Sequence, residues 1–281
     1  MKHQENQVEQ CMDHDALIRS NFSSLPEDLI SLILSKTSTR DACRLSVVSS
    51  QFRSAASSDL VWESFLPSHY TKIISRCNKH FASKKDIYIS LFRGIVHIDH
   101  DNKVCRYNLR GKVFCGLDSK NLTVTANHPR PNSWFILNPE ASSYLTVNFG
   151  HGFNIKGKVD TGLLSPNTNY QVCVCYNPTE VKGYNSNEFS SSCPPITVSV
   201  KLFKEGKIVK TSELRINLVM TDTRSSFRLQ EVDKWTDLTV GKFFNNTRDF
   251  DAVEVSLMET KRLNFYKGPA IKFYGIGFRG F

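Results

Sequence analysis

The side chains best suited to chemistry gather in His97-Ile98-Asp99-His100-Asp101-Asn102-Lys103, where two imidazoles and two carboxylates fall close together. Such groups are the usual ligands of zinc and of harder cations. The stretch is turn-like, however, and reads as a solvated loop rather than a metal site. A second set, Asp249, Asp251 and Glu254, has the residue types of a glycoside-cleaving carboxylate pair. Nothing in their spacing fixes a working separation, and acids of this kind ordinarily sit in exposed turns. Gly275-x-Gly277 lacks the remainder of a phosphate-binding loop. The chain has neither a nucleophile elbow nor a triad context. Its eight cysteines contain no Cys-x-x-Cys pair and no zinc spacing. Cys173 and Cys175 alternate in a strand-like run, which puts both on one side as core or near-core thiols. The expectation is a non-catalytic protein with no cofactor and no metal.

Composition narrows the remaining classes. The chain has 281 residues, 40% hydrophobic and 22% charged, an ordinary globular balance with room for two domains. No apolar run approaches the roughly 18 residues of a membrane span, so no membrane partner is expected. Residues 1–22 lack an apolar signal core and read as a flexible polar tail. Reduced thiols and the missing signal point to the cytoplasm and/or nucleus. The net charge of +9 is unevenly divided: residues 1–70 hold 6 Lys/Arg against 9 Asp/Glu (−3), and the remainder 30 against 18 (+12). Two modules with different partners are expected.

The first module spans residues 23–66. Ser23 or Ser24 can cap a helix with Pro26 near its first turn and Glu27 and Asp28 at its positive end. Leu29, Ile30, Leu32, Ile33 and Leu34 then make that helix apolar around most of its circumference, which demands cover on more than one side. Ser38 or Thr39 caps a second helix. On it Ala42, Leu45, Val48, Phe52 and Ala55 form one stripe, bent near Ser49-Ser50. Leu60, Val61, Trp62, Phe65 and Leu66 close the segment. A three-helix unit this small buries a modest core.

Four blocks in order, Leu25-Pro26-Glu27-Asp28-Leu29-Ile30, Ile33-Leu34, Cys43 to Ser49 with Phe52-Arg53, and Asp59-Leu60-Val61-Trp62, resemble an F-box. The resemblance implies docking on the Skp-family adaptor, and through it on the cullin and RING subunits of a ubiquitin ligase. It sets Leu25, Pro26, Leu29, Ile33 and Val48 at or near the adaptor. Trp62 is set against the adaptor or against the domain's own base.

Residues 67–112 read as a helical connector, with one helix capped by Ser83 and carrying Ile87, Tyr88 and Leu91. From residue 113 to 281 the texture changes. Short β-type runs occupy residues 121–126, 133–137, 144–149, 153–159, 169–176, 196–203, 213–220, 235–244, 252–259 and 270–278, separated by turn residues. That predicts an antiparallel β-sandwich. Within one run, Val253, Val255 and Leu257 face one way and Glu254 and Ser256 the other. The fold class is therefore α+β: a small three-helix domain followed by the sandwich.

The order Asn121-Leu122-Thr123-Val124-Thr125, Ile155 to Val159, Leu164 to Tyr170, Trp235 with Leu238 to Phe244, and Ala252 to Glu259 is similar to the phloem-protein lectin domain related to the tobacco agglutinin. The whole chain resembles plant F-box proteins that carry such a domain. The resemblance implies a jelly-roll-like sandwich that binds N-acetylglucosamine-containing glycans or N-glycan cores. An aromatic face stacking on the sugar, with polar groups at its hydroxyls, would supply the site. Ala126-Asn127-His128 stands where the family has Trp-Gly-Asp, so the leading aromatic is missing. Its loss removes on the order of one to a few kcal/mol. Trp134 matches the second aromatic cluster, flanked by Asn127 as a polar group, and is equally readable as a core residue.

The function expected is a substrate-recognition subunit of an SCF-type ligase, its sandwich capturing a glycoprotein or protein target. The alternative is a nucleocytoplasmic lectin acting without ligase assembly. Lys201, Lys204, Lys207 and Lys210 with Phe203 raise nucleic acid as a partner. No nucleic-acid motif accompanies them, and strand lysines also discourage edge pairing.

Overall fold

The computed structural model describes residues 25–100, 103–126, 135–137, 144–148, 152–178, 195–216, 236–246, 249–259 and 270–281. They fall into two compact units, one formed by the chain up to Tyr70 together with His80–Ile89, the other by Thr71–Lys79 together with Ser90–Phe281.

The first unit is helical, with α1 (Glu27–Ser35), α2 (Thr39–Leu45), α3 (Ser50–Ser57) and α4 (Asp59–Phe65). Pro26, rather than a serine, occupies the N-cap position of α1, and its carbonyl accepts the N–H groups of Leu29 and Ile30 at 3.0 and 3.2 Å. Ser23 and Ser24 lie outside the described residues. Ser38 caps α2 by accepting from the Asp41 N–H at 3.1 Å. The expected bent stripe is two separate helices. Ser49 accepts the Phe52 N–H at 3.2 Å and starts α3 afresh, so a capping side chain wins over a helix continued through β-branched Val47 and Val48. Ser58 caps α4 in the same manner.

Ile30, Leu34, Ala42, Ala55, Ala56, Val61 and Trp62 form the core of this unit, with Leu25, Leu45, Phe52, Phe65 and Tyr88 packed around it. The alanines let α3 approach closely. Buried Ser31 donates to the Ala55 carbonyl at 3.2 Å, as a polar group removed from water must. Two further helices follow in sequence, α5 (Tyr70–Ile74) and α6 (Lys84–Arg93). Ser83 caps α6 as expected, accepting the Asp86 N–H at 3.2 Å.

The second unit is an antiparallel sandwich. Its strands in chain order are β1 (Val96–Ile98), β2 (Lys103–Tyr107), β3 (Val113–Asp118), β4 (Thr123–Ala126), β5 (Phe135–Leu137), β6 (Leu145–Asn148) and β7 (Phe153–Asp160), then β8 (Thr168–Pro178), β9 (Ile196–Lys204), β10 (Lys207–Ile216), β11 (Thr236–Asn245), β12 (Ala252–Met258) and β13 (Ala270–Gly280). The stretch read as a helical connector thus also contributes two strands, β1 and β2, which pair with each other and with β3.

β13 is the spine of the first sheet. Its residues 271–280 pair with β8 along one edge, while β6 takes residues 270–273 and β3 residues 275–279 of the other. β11 extends the sheet beyond β8, and β2, β1 and β5 extend it on the far side. The second sheet runs β10-β9-β12-β7-β4. Inward residues alternate as expected: Phe153, Ile155 and Val159 on β7, and Val253, Val255 and Leu257 on β12, are buried. Phe153 and Phe273 bring the two sheets together with ring centroids 6.4 Å apart.

Candidate functional site

The helical unit exposes several large aliphatic side chains that its core does not use. On α1, Ile30 and Leu34 face inward and are essentially inaccessible, whereas Leu29, Leu32 and Ile33 are 46%, 48% and 53% exposed. Positions i, i+3 and i+4 share one helix face, so these three make an apolar stripe opposite the core. Val47 and Val48, in the turn before α3, are also exposed, at 74% and 66%. Their backbone is fixed, the Val48 N–H donating to the Leu45 carbonyl at 3.1 Å. Leu60 on α4 is half exposed. Large aliphatic side chains gathered on a unit of this size mark an interaction surface.

The stripe is held rigidly. Ser54 of α3 donates to Glu27 at 2.6 Å, and Gln51 Nε2 donates to the Leu25 carbonyl at 2.5 Å, fastening the chain on either side of the Pro26 N-cap of α1. Pro26 is exposed and Leu25 half-buried beside them. α4 is fastened to α6 by Lys84, which contacts Glu63 at 2.8 Å, and Tyr70, whose hydroxyl donates to Glu63 at 2.7 Å. The hydrogen bonds from Lys84 and then Tyr70 hold the Glu63 carboxyl below its usual range.

Of the residues the sequence singles out, Leu29, Ile33 and Val48 are thus presented to solvent and Leu25 and Pro26 flank them. Trp62 is not. It is 3% exposed, its Nε1 donates to the Ala56 carbonyl at 2.7 Å, and Phe65 and Tyr88 pack on its ring at centroid distances of 5.9 and 5.3 Å. Of its two expected roles, this geometry gives it the domain's own base. Leu32 and Val47 join the surface without having been singled out, although the i+3 step from Leu29 to Leu32 carries that signal.

The expected sugar site cannot be assembled in the same way. Asn127 and Trp134 lie outside the described residues. Their flanking strands, β4 and β5, are the terminal strands of the second and first sheets respectively.

The other chemical candidates resolve into structural roles. Asp99 receives Arg76 through two bonds of 2.6 and 2.7 Å and Lys103 at 2.6 Å, and Arg76 also reaches Asp160 at 2.9 Å. The Arg76 bonds, aided by Lys103, lower the Asp99 carboxyl to about 2. His97 is exposed on β1 and His100 follows in the turn. Asp251 accepts the Glu205 N–H at 2.7 Å, Asp249 accepts from Asn246 at 2.9 Å, and Glu254 stands between Lys201 and Lys158 on the neighbouring strands. No carboxylate pair forms from them. Cys173 and Cys175 are on one side of β8, and burial raises both thiols.

Two family descriptions match the chain: an F-box domain over residues 22–64 and Phloem protein 2 over residues 112–279. The chain belongs to the Phloem protein 2 family and carries an F-box. Its relatives have the same pairing. It is 32% identical to the Arabidopsis thaliana F-box protein PP2-B10, over 87% of this chain and 89% of that one. Identity to the Arabidopsis F-box protein PP2-B7 is 31%, over 90% and 83%. A solved structure, TmCBM61 in complex with beta-1,4-galactotriose, is similar to 58% of this chain and 91% of its own at 8% identity and a TM-score of 0.30, too slight a likeness to carry an argument. The exposed stripe of α1 therefore belongs to the F-box, and the sandwich is the phloem protein 2 domain.

Proposed function

We propose that this F-box protein is the substrate receptor of an SCF-type ubiquitin ligase. The F-box seats Leu29, Leu32, Ile33 and Val48 on the Skp-family adaptor, which links the chain to the cullin and RING subunits. The phloem protein 2 domain captures the target, a protein or a glycoprotein bearing N-acetylglucosamine-containing glycans. The observation that carries the reading is the aliphatic stripe of α1, solvent-facing on a unit whose core is already complete. The chain contributes no catalysis in this reading. It holds target lysines near the charged ubiquitin carrier and so raises their effective concentration. The cytoplasm and/or nucleus is the proposed location, because the adaptor must be met there.

Co-purification with the adaptor tests it. Ile33→Asp, or Leu25→Ala with Pro26→Ala, is expected to abolish co-purification. Retention by both variants would reject the assignment and leave a lectin acting without ligase assembly. For the sugar, tryptophan fluorescence of the full chain titrated with chitin oligomers is expected to shift saturably. The shift is expected to disappear in Trp134→Ala; silence up to millimolar sugar would leave protein targets.

A further inference from the structure

The outer face of the first sheet sets cations beside exposed apolar side chains. Strands β11, β8, β13, β3 and β2 lie side by side, and Phe243, Tyr170, Phe278, Cys115 and Cys105 mark its buried side. Residues adjacent to these in sequence point outward. Register then sets Lys242, Gln171, Arg279, Phe114 and Arg106 opposite one another in a single row across all five strands. With strands ~4.8 Å apart, the row is ~19 Å long, and its three cations recur every ~10 Å. The Arg106 guanidinium lies 5.4 Å over the Phe114 ring. That ring rests on Gly116 and Gly277, where an added Cβ would come within 3.2 and 3.1 Å of it.

The adjoining row is apolar. Phe244 and Phe281 flank Asn169, each half exposed, and the Phe281 N–H donates to the Asn169 carbonyl at 3.1 Å. At the same end of the sheet, the β2–β3 turn holds Leu109 fully in solvent. The turn is fixed by Asn108, whose Oδ1 accepts the N–H groups of Arg110 and Lys112 at 2.9 Å and whose Nδ2 donates to the Gly280 carbonyl at 2.9 Å. Gly111 supplies the positive φ of 69° that closes it. Arg106, Arg110, Lys112, Lys242 and Arg279 thus surround an ordered apolar rim, and Asp237 pairs with Arg279 at 3.1 Å.

We propose that this face binds an extended acidic segment of a protein partner, its carboxylates along Lys242, Arg279 and Arg106 and its apolar side chains against Phe244, Phe281 and Leu109. Charge complementarity selects the sign of the partner. Spacing selects its form: in an extended chain of polyproline II type, carboxylates three residues apart share one face and stand ~9 Å from one another, close to the spacing of the cations. A nucleic-acid strand fits less well, since Leu109, the most exposed apolar side chain of the rim, offers no ring for base stacking. The inference rests on the reading of the sandwich as the target-capturing half. Its test needs no adaptor, so failure of the surface and failure of F-box docking are separate results.

The probe is a fluorescein-labelled peptide of repeating Glu-Phe-Ser, titrated with the full chain and read by anisotropy. Arg110→Glu with Lys242→Glu, both exposed, is expected to weaken binding at least about tenfold, and Leu109→Ser about threefold. The same charge change at Lys207→Glu with Lys210→Glu, exposed on β10, is expected to weaken it less than about twofold. The Gln-Phe-Ser peptide is expected not to bind. Equal losses in the two double variants, no saturable binding of the acidic peptide, or tighter face-dependent binding of an oligothymidylate would each overturn the proposal.

Discussion

Replacing Trp62 by Phe separates a residue that supports the exposed stripe of α1 from one that belongs to it. The indole is 3% exposed and donates to the Ala56 carbonyl at 2.7 Å. Phenylalanine removes that donor and strands a carbonyl away from water, at about 1–3 kcal/mol. The missing ring atoms leave a void among Phe65, Tyr88 and Ala56 that adds roughly 1 kcal/mol. A loss of about 3 kcal/mol in a unit of this size lowers its melting temperature by roughly 12–24 °C. Ile33→Asp reverses the pattern, because Ile33 is 53% exposed and outside the core. It is expected to shift stability by less than about 0.5 kcal/mol and to weaken adaptor binding at least about tenfold. Calorimetry of the full chain reads the first quantity, and biolayer interferometry against the purified adaptor at 10 °C reads the second. If Trp62→Phe weakened binding while leaving the melt unchanged, the indole would be a contact residue and the separation of core from stripe would fail.

Ser49→Ala is expected to lower the stability of the F-box by about 1 kcal/mol, measured by thermal unfolding, since the Ser49 hydroxyl satisfies the Phe52 N–H at the start of α3. Asp99, lowered from 3.8 to about 2 in the folded chain, binds its proton more readily when unfolded. Its contribution is therefore full above about pH 4 and lost as the pH falls toward 2. Asp99→Asn is expected to flatten that part of the stability–pH curve, and an unchanged acid limb would refute the role of the Arg76–Asp99–Lys103 cluster. Gly275→Ala would place a Cβ 2.1 Å from the Leu117 carbonyl oxygen. It is expected to destabilise the sandwich by about 3 kcal/mol or more, read by denaturant titration.

What sequence reasoning reaches here is local. The Ser38 and Ser83 caps, the alternation of Val253, Val255 and Leu257, and the short β-type runs of the sandwich need only a few neighbouring residues to be recognised. What escapes it is decided by partners far along the chain. β2 reads Lys-Val-Cys-Arg-Tyr, and its charges conceal an alternation that acquires meaning only when Cys105 meets Cys115 and Arg106 meets Phe114. The interval from Val48 to Phe52 continues a helical stripe, yet one hydroxyl at Ser49 divides it. Trp62 is a member of its own domain because the Ala56 carbonyl is within reach. The stripe of α1 was legible because helix geometry alone places Leu29 beside Ile33. The cationic row on the sandwich was not, since it draws residues from 106 to 279 into line through four separate pairings.

The position of β13 has a consequence for how the chain is made. β3, β6 and β8 meet in the first sheet through this strand, which is synthesised after all of them. At about 5–20 residues per second on the ribosome, roughly 8–30 s pass between the end of β3 and the start of β13. Throughout that interval the edges destined for β13 have no permanent neighbour. Such edges pair readily with other chains. The sheet therefore closes late, and a nascent-chain chaperone that shields β-edges would raise the yield of folded protein.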